Sequence, residues 1–407
     1  FILIFSFSNF LCGQNYDTNW KGHFSFLNIK KVVEAENKFY AASENALFSY
    51  DTQTNQLNTI TTVNGLSGEL ISTLHYSYEY QLLLIGYENG LIEIYSETDQ
   101  EILKVVDIIN KVTIPPSQKK INHFNEFNSL IYIATDYGIS VYSLEGLEFG
   151  DTYYIGSNGS QIRVNQTAIL NNEIYAACGL NNGIKKASLS NSNLTDFQLW
   201  GTIVSGDFTA VLASASSIYA VNLSNTIFEI NGTALNTLFN FPQPVVELNT
   251  SETKLLVTTN SKVYQYGPGF NLIDTYSLPT ELDTFFTCAL ITGADVYIGT
   301  KNYGIIRPDP LAVYGYEEIH PEGPLRNAAF SLTYGYGNLW VTYGEYSIFF
   351  NPSPSRNYGI SNYVDMNWHN TTYDSIQQAT NKTVSNLNAI SINPLNPGQV
   401  FISSFAH

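Results

Sequence analysis

The chain has 407 residues, 44% hydrophobic, 14% aromatic and only 13% charged. That supplies a packed core and argues against a disordered or coiled-coil protein. A net charge of −17 would repel duplex nucleic acid, and lysines come at most in pairs (Lys30-Lys31, Lys119-Lys120, Lys185-Lys186), so no basic stripe offsets it.

The first residues, FILIFSFSNFLCG, resemble the apolar core and cleavage zone of a secretory signal peptide. Residues 1–13 are therefore expected to be a signal remnant, cut between Gly13 and Gln14. The run is too short to span a bilayer. Bulky Leu11 disfavours a lipid anchor on Cys12. No later apolar run approaches 18 residues, so the rest is expected to be soluble and exported. Beyond the leader only Cys178 and Cys288 remain, too few for a disulfide scaffold. They are expected as buried thiols, a single bridge being the alternative.

From residue 39 one unit recurs: an apolar strand, a short turn often holding glycine, and a second strand. The copies begin FYAASENALFSYD (39–51), LLLIGYENGLIEIYS (82–96), IYIATDYGISVYS (131–143) and IYAACGLNNGIKKAS (174–188). They continue as IYAVNLSNTIFEIN (218–231), LLVTTNSKVYQYG (255–267), VYIGTKNYGIIRPD (296–309) and LWVTYGEYSIFFNP (339–352), and a ninth starts at VFISSFAH. Most lie roughly 40–48 residues apart, the period of four-stranded propeller blades. Tyrosine (29) and phenylalanine (24) are abundant and methionine occurs once, which is strand chemistry. No 3.6-residue pattern competes.

The second unit parses into an inner strand at 70–76, a second at 80–86, a third at 90–96 and an outer one at 101–107. Leu82-Leu83-Leu84-Ile85 is apolar on both faces, as a strand between two neighbouring sheets must be. Gly86 and Gly90 flank the expected corner. The expected fold is all-β: a seven-bladed β-propeller of four-stranded blades over 14–323, followed by the truncated start of a second β-propeller over 324–407. A single eight-bladed ring is the alternative. The longest gap, about 61 residues before the ninth copy, favours the split and holds the odd segment 362–386.

No catalytic or metal motif emerges: none of the six histidines pairs at ligand spacing, and no HExxH, P-loop or G-x-S-x-G occurs. His75 and His123 fall in inner strands as structural residues. Glu317-Glu318 would point to opposite faces of a strand, so the pair cannot flank one glycosidic bond. No catalytic residue, metal site or cofactor is expected. Four copies place a tyrosine in the turn between second and third strands: Tyr87, Tyr137, Tyr303 and Tyr343. That turn opens on the face where propellers usually bind ligands, and a tyrosine offers a sugar both an apolar face and a hydroxyl. Blade-to-blade packing is the competing role. Arg307 or Arg326 would supply a cation for an anionic glycan.

The stretch NGLSGELISTLHYS (64–77) resembles the repeat of two-component-regulator propellers. WKGHFSFLNIK (20–30), IHPEGPLRNAAFSLTYGYGNLWVTYG (319–344), FFNPSP (349–354) and YGISNY (358–363) look like the PorZ-like proteins of the type IX secretion system of Bacteroidota. That family continues through a second propeller into a sorting-type β-sandwich. The ending FISSFAH and the missing initial methionine then imply a fragment. The resemblance implies a non-catalytic, exported, outer-membrane-associated protein of the cell-surface attachment complex. It also implies anionic lipopolysaccharide as ligand and the sortase PorU, PorV and PorQ as partners. A sensor ectodomain is the alternative, which a downstream membrane helix would distinguish. A propeller lyase or glycosidase ranks last.

Overall fold

The computed structural model describes residues 21–406 apart from 252, 345–348 and 350–356. The expected signal remnant, Cys12 and most of the FFNPSP motif lie outside the described residues.

Among the described residues, the strands form eight four-stranded antiparallel sheets and one two-stranded sheet. We number them in chain order as sheets 1 to 9. Sheet 2 shows the build: Ile71–Ser77, Leu82–Tyr87, Ile92–Ser96 and Ile102–Val105, each hydrogen-bonded to the next. Its second strand alternates as expected. Leu83, Ile85 and Tyr87 face sheet 1, whereas Leu84 faces sheet 3. Burying each such leucine or isoleucine is worth about 1.5–3 kcal/mol, so this strand glues two interfaces at once. Gly90 turns the corner at φ 90°, a left-handed conformation that suits glycine. Gly86 serves packing instead. A Cβ there would meet Ile121 at 2.8 Å and Thr73 at 2.9 Å, so its absence allows the sheets to approach closely.

Sheets 1 to 7 (31–319) close a ring. Seven apolar clusters lie between consecutive sheets, and the last joins sheet 7 to sheet 1. At that closure Phe39 and Tyr50 pack against Tyr297, with ring centroids 4.8 and 6.0 Å apart. The Ile29 N–H donates to the Thr300 carbonyl at 2.9 Å, and the Gly304 N–H to the Leu27 carbonyl at 2.8 Å. Each of the seven sheets takes its strands from one continuous segment, so none is borrowed from elsewhere. Cys178 and Cys288 are separate, buried, free thiols; burial pushes both up to about 12.

The first strand of each sheet lines the axis. Polar side chains cross it: Lys31 of sheet 1 pairs with Glu247 of sheet 6, which also accepts from the Ala289 N–H of sheet 7 at 2.9 Å. His75 of sheet 2 meets Glu126 of sheet 3 at 2.8 Å, and the Ser77 hydroxyl donates to the same carboxylate.

Sheet 8 (329–371) repeats the blade pattern outside the ring. Sheet 9 (385–406) packs on it, with Thr333 and Thr342 hydroxyls donating to the Ile390 and Asn388 carbonyls. The expected boundary at 323/324 falls in the link between sheets 7 and 8. Between Trp368 and sheet 9 lies a helix that periodicity did not reveal, Tyr373–Thr380. Thr372 caps its start, accepting from the Ser375 N–H, and Asn381 ends it at φ 54°. Among the described residues no helix is long and apolar enough to cross a membrane.

Candidate functional site

Three of the four candidate tyrosines are packing residues. Tyr87, Tyr137 and Tyr343 are among the largest fully buried side chains. The rings of Tyr87 and Tyr137 fill the space between sheets, and all three hydroxyls are committed inside the protein. Tyr87 donates to buried Glu93, which also accepts from the Ser67 N–H at 2.9 Å. Tyr137 meets Ser140 at 2.7 Å, and Tyr343 donates to Ser361 while accepting from the Leu325 N–H at 3.2 Å. Burial pushes the Tyr137 and Tyr343 hydroxyls up to about 12. None of the three offers a face to a sugar. At Tyr87 and Tyr137 the aromatic ring folds inward because the sheets leave an apolar gap there.

Tyr303 is different. It stays partly exposed and lines a cleft of about 330 Å³ between the ring and sheet 8. Arg326 lines the same cleft, its guanidinium 4.1 Å from the Tyr358 ring centroid. The structure thus brings Tyr303 and Arg326 together. Arg307 lies elsewhere, paired with Glu317 and 3.9 Å from Asp295.

Lys301 adds a second cation to the cleft, and Glu44, Asp283 and Asp374 add three carboxylates. Two cations against three carboxylates do not make an anion trap. Burial, then Glu318, Asp283 and Asp374, hold the Tyr303 hydroxyl above its ordinary pKa, so it stays a neutral donor. Tyr373, on the unexpected helix, faces the cleft with a buried hydroxyl that has no partner among the described residues. Aromatic faces, amides and mixed charge suit a polar sugar surface or a peptide segment. Sequence reasoning missed Tyr373 and Asp374; the Thr372 cap and Asn381 stop were the available signal.

One wall of the cleft is a clasp. Asn327 accepts from the Ser25 N–H at 2.7 Å and donates to the Ser25 carbonyl at 3.2 Å and to Glu44 at 3.3 Å. Asn28 donates to the same Glu44 at 2.9 Å. Trp368 donates to His23 at 3.1 Å, and His23, Tyr363 and Trp368 form one aromatic cluster. A Cβ on Gly323 would lie 2.0 Å from the Phe24 carbonyl oxygen, so only glycine lets the link run this close to the segment before the first strand.

Known proteins share this architecture. Residues 39–201 match the family model of the N-terminal β-propeller domain of PorZ, of the type IX secretion system. The chain also superposes on a solved structure of PorZ from Porphyromonas gingivalis, at a TM-score of 0.78 and 16% identity over 95% of its length. In fold this chain is similar to PorZ. That PorZ is described as an essential bacterial surface component of the type IX secretion system, and the present chain spans 51% of it. A second solved structure, Raptor from Chaetomium thermophilum, superposes at a TM-score of 0.53 with 14% identity, covering 73% of this chain and 29% of Raptor. No curated protein matches the chain. The segments that look most PorZ-like in sequence, 20–30, 319–344 and 358–363, contribute His23, Ser25, Asn28, Arg326, Asn327 and Tyr358 to the clasp and cleft.

Proposed function

We propose that this PorZ-like chain is the propeller region of a type IX secretion component, acting at the cell surface or envelope as a platform without catalysis of its own. In this reading it binds anionic lipopolysaccharide and presents it to the sortase PorU, alongside PorV and PorQ. The observation that supports it is the agreement of the PorZ family match over residues 39–201 with a PorZ-like fold along 95% of the chain. A rigid ring suits docking, because seven interlocked interfaces hold its loops at fixed spacing.

The experiment is capture from cells that carry the secretion system, using the natural full-length protein, with a parallel assay of purified protein on anionic and neutral lipopolysaccharide. Recovery of the sortase and selective retention of the anionic form are expected. Recovery of neither partner nor glycolipid overturns the proposal. Tyr303→Ala, at the partly exposed cleft, is expected to weaken one of the two interactions without lowering the melting temperature.

A further inference from the structure

We infer that the mouth of the axial channel is a binding site for an oxyanion group, a phosphate or the carboxylate of an acidic sugar. The inference deepens the anionic-ligand reading above by giving it a place, and rests on that reading only for the natural ligand's identity.

The mouth is built by a repeated device. In sheets 2 to 7 the inner strand carries a bulge at its second residue. The bulged residues are Ser72, Asn122, Asn165, Thr209, Val246 and Thr287, and all six line one cavity of about 290 Å³. A bulge re-aims a side chain that a regular strand would point elsewhere. Here it supplies a collar of short hydroxyls and amides with a single apolar member. Two of the amides also tie the collar together: Asn122 donates to the Val164 carbonyl at 2.9 Å and Asn165 to the Phe208 carbonyl at 2.8 Å.

Charge favours an anion. The cavity is lined by Lys30, Lys31 and Lys120 against one carboxylate, Glu247, which leaves three minus one, or two, positive charges in a chain of net charge −17. Glu247 is engaged by Lys31 and the Ala289 N–H, so it does not fill the collar. Lys120 reaches Glu88 on the rim at 3.2 Å, an exposed contact that an anion can replace. Buried polar atoms without partners add a second line of argument. Ser72 Oγ and His123 Nδ1, both on residues lining this cavity, have none among the described residues. A buried group left unpaired is destabilising, and a bound oxyanion would satisfy such donors.

The test is calorimetric titration of the purified chain with inorganic phosphate, glucuronate and, as a neutral comparison, glucose, at low ionic strength. No glycolipid or partner is present, so failure here leaves the secretion reading standing, and failure of that reading leaves this result interpretable. Saturable binding of phosphate or glucuronate is expected, with glucose inert. The double substitution Lys30→Gln, Lys120→Gln should weaken it by at least ~10-fold, the scale of losing charge-assisted contacts. Lys382→Gln, outside the ring, should change nothing. Ser72→Ala, a minimal change, serves if the double variant folds poorly and should also weaken binding. Phosphate alone binding identifies a phosphate-bearing ligand, and glucuronate alone an acidic sugar. Absence of saturable anion binding, equal binding of glucose, or affinity unchanged in both the double variant and S72A overturns the inference.

Discussion

His123 sits on the inner strand of sheet 3, facing the channel that Lys31 and His75 also enter. Burial first, then the charges of Lys31 and His75, hold its imidazole down to about 3, against an ordinary value of 6.5. The unfolded chain therefore takes up a proton near 6.5 that the folded chain refuses until about 3. The stability tied to a neutral His123 is fully present above 6.5 and is lost as pH falls towards about 3. Glu126 acts lower. Burial raises its carboxyl pKa, but hydrogen bonds from His75 and Ser77 outweigh that and leave it below 4.5, so its contribution fades only in more acidic solution. Urea unfolding between about pH 6.5 and about pH 5 separates the histidines from the carboxylates, and comparison with His123→Gln separates His123 from His23, whose imidazole pKa is also lowered by burial. The parent is expected to lose up to about 1.4 kcal/mol per pH unit there, and His123→Gln to show a flatter profile. Equal slopes would mean that His123 is hydrated in the fold. The sequence put His75 and His123 in inner strands but could not show that His75 meets Glu126, which comes from the next sheet about 50 residues on. The four tyrosines show the same limit. Their shared turn was legible from the repeat, whereas the inward fold of Tyr87 and Tyr137 depends on the gap between two sheets, and Tyr343 is held inward by Ser361 and Leu325.

Strand positions were far more legible, since each strand writes its own alternation. In sheet 2 every strand begins and ends within two residues of the positions read from the pattern. The exception is Tyr373–Thr380, a short polar helix with no buried residue and hence no apolar stripe to detect. Closure of the ring was also beyond local pattern. Sheets 1 and 7 meet across more than 200 residues of chain, held by apolar packing and backbone hydrogen bonds, with no shared strand. That makes the closing interface a place where the ring depends on side-chain fit and a few backbone hydrogen bonds rather than on a shared strand. Phe39 is fully buried there against Tyr50 and Tyr297. Phe39→Ala leaves a cavity that the stiff sheets fill poorly, and should lower unfolding stability by about 3–5 kcal/mol in chemical denaturation. Phe39→Leu should cost much less. Similar losses for both substitutions would show that the two sheets can slide together and refill the gap.

The ring and the segment beyond it differ in how completely they cover their apolar faces. Within the ring each sheet has a neighbour on both sides, and one cluster fills every interface. Sheet 8 has sheet 9 on one side only. Strand pairing places Leu332 and Tyr334 where sheet 7 carries Ala289 and Ile291, which face sheet 6 in the ring. In sheet 8 the corresponding side chains are 63% and 75% exposed. An uncovered sheet face of this kind cannot stabilise a fold alone, because backbone ordering costs about 1–2 kcal/mol per residue and must be offset by burial. The ring needs no such help: its junction with sheet 8 is a polar clasp around Asn327, Ser25 and Glu44. A chain ending at residue 323 is therefore expected to unfold in one cooperative transition, at a midpoint close to that of the whole chain. Residues 324–407 alone are expected to remain unfolded by circular dichroism. Cutting inside the ring, after residue 277, removes sheet 7 and exposes both faces of the closure. That piece should lose the cooperative transition altogether. If the 323-residue chain instead melted in several steps or aggregated, the clasp would have to carry stability that its hydrogen bonds do not suggest, and sheets 1 to 8 would form a single folding unit.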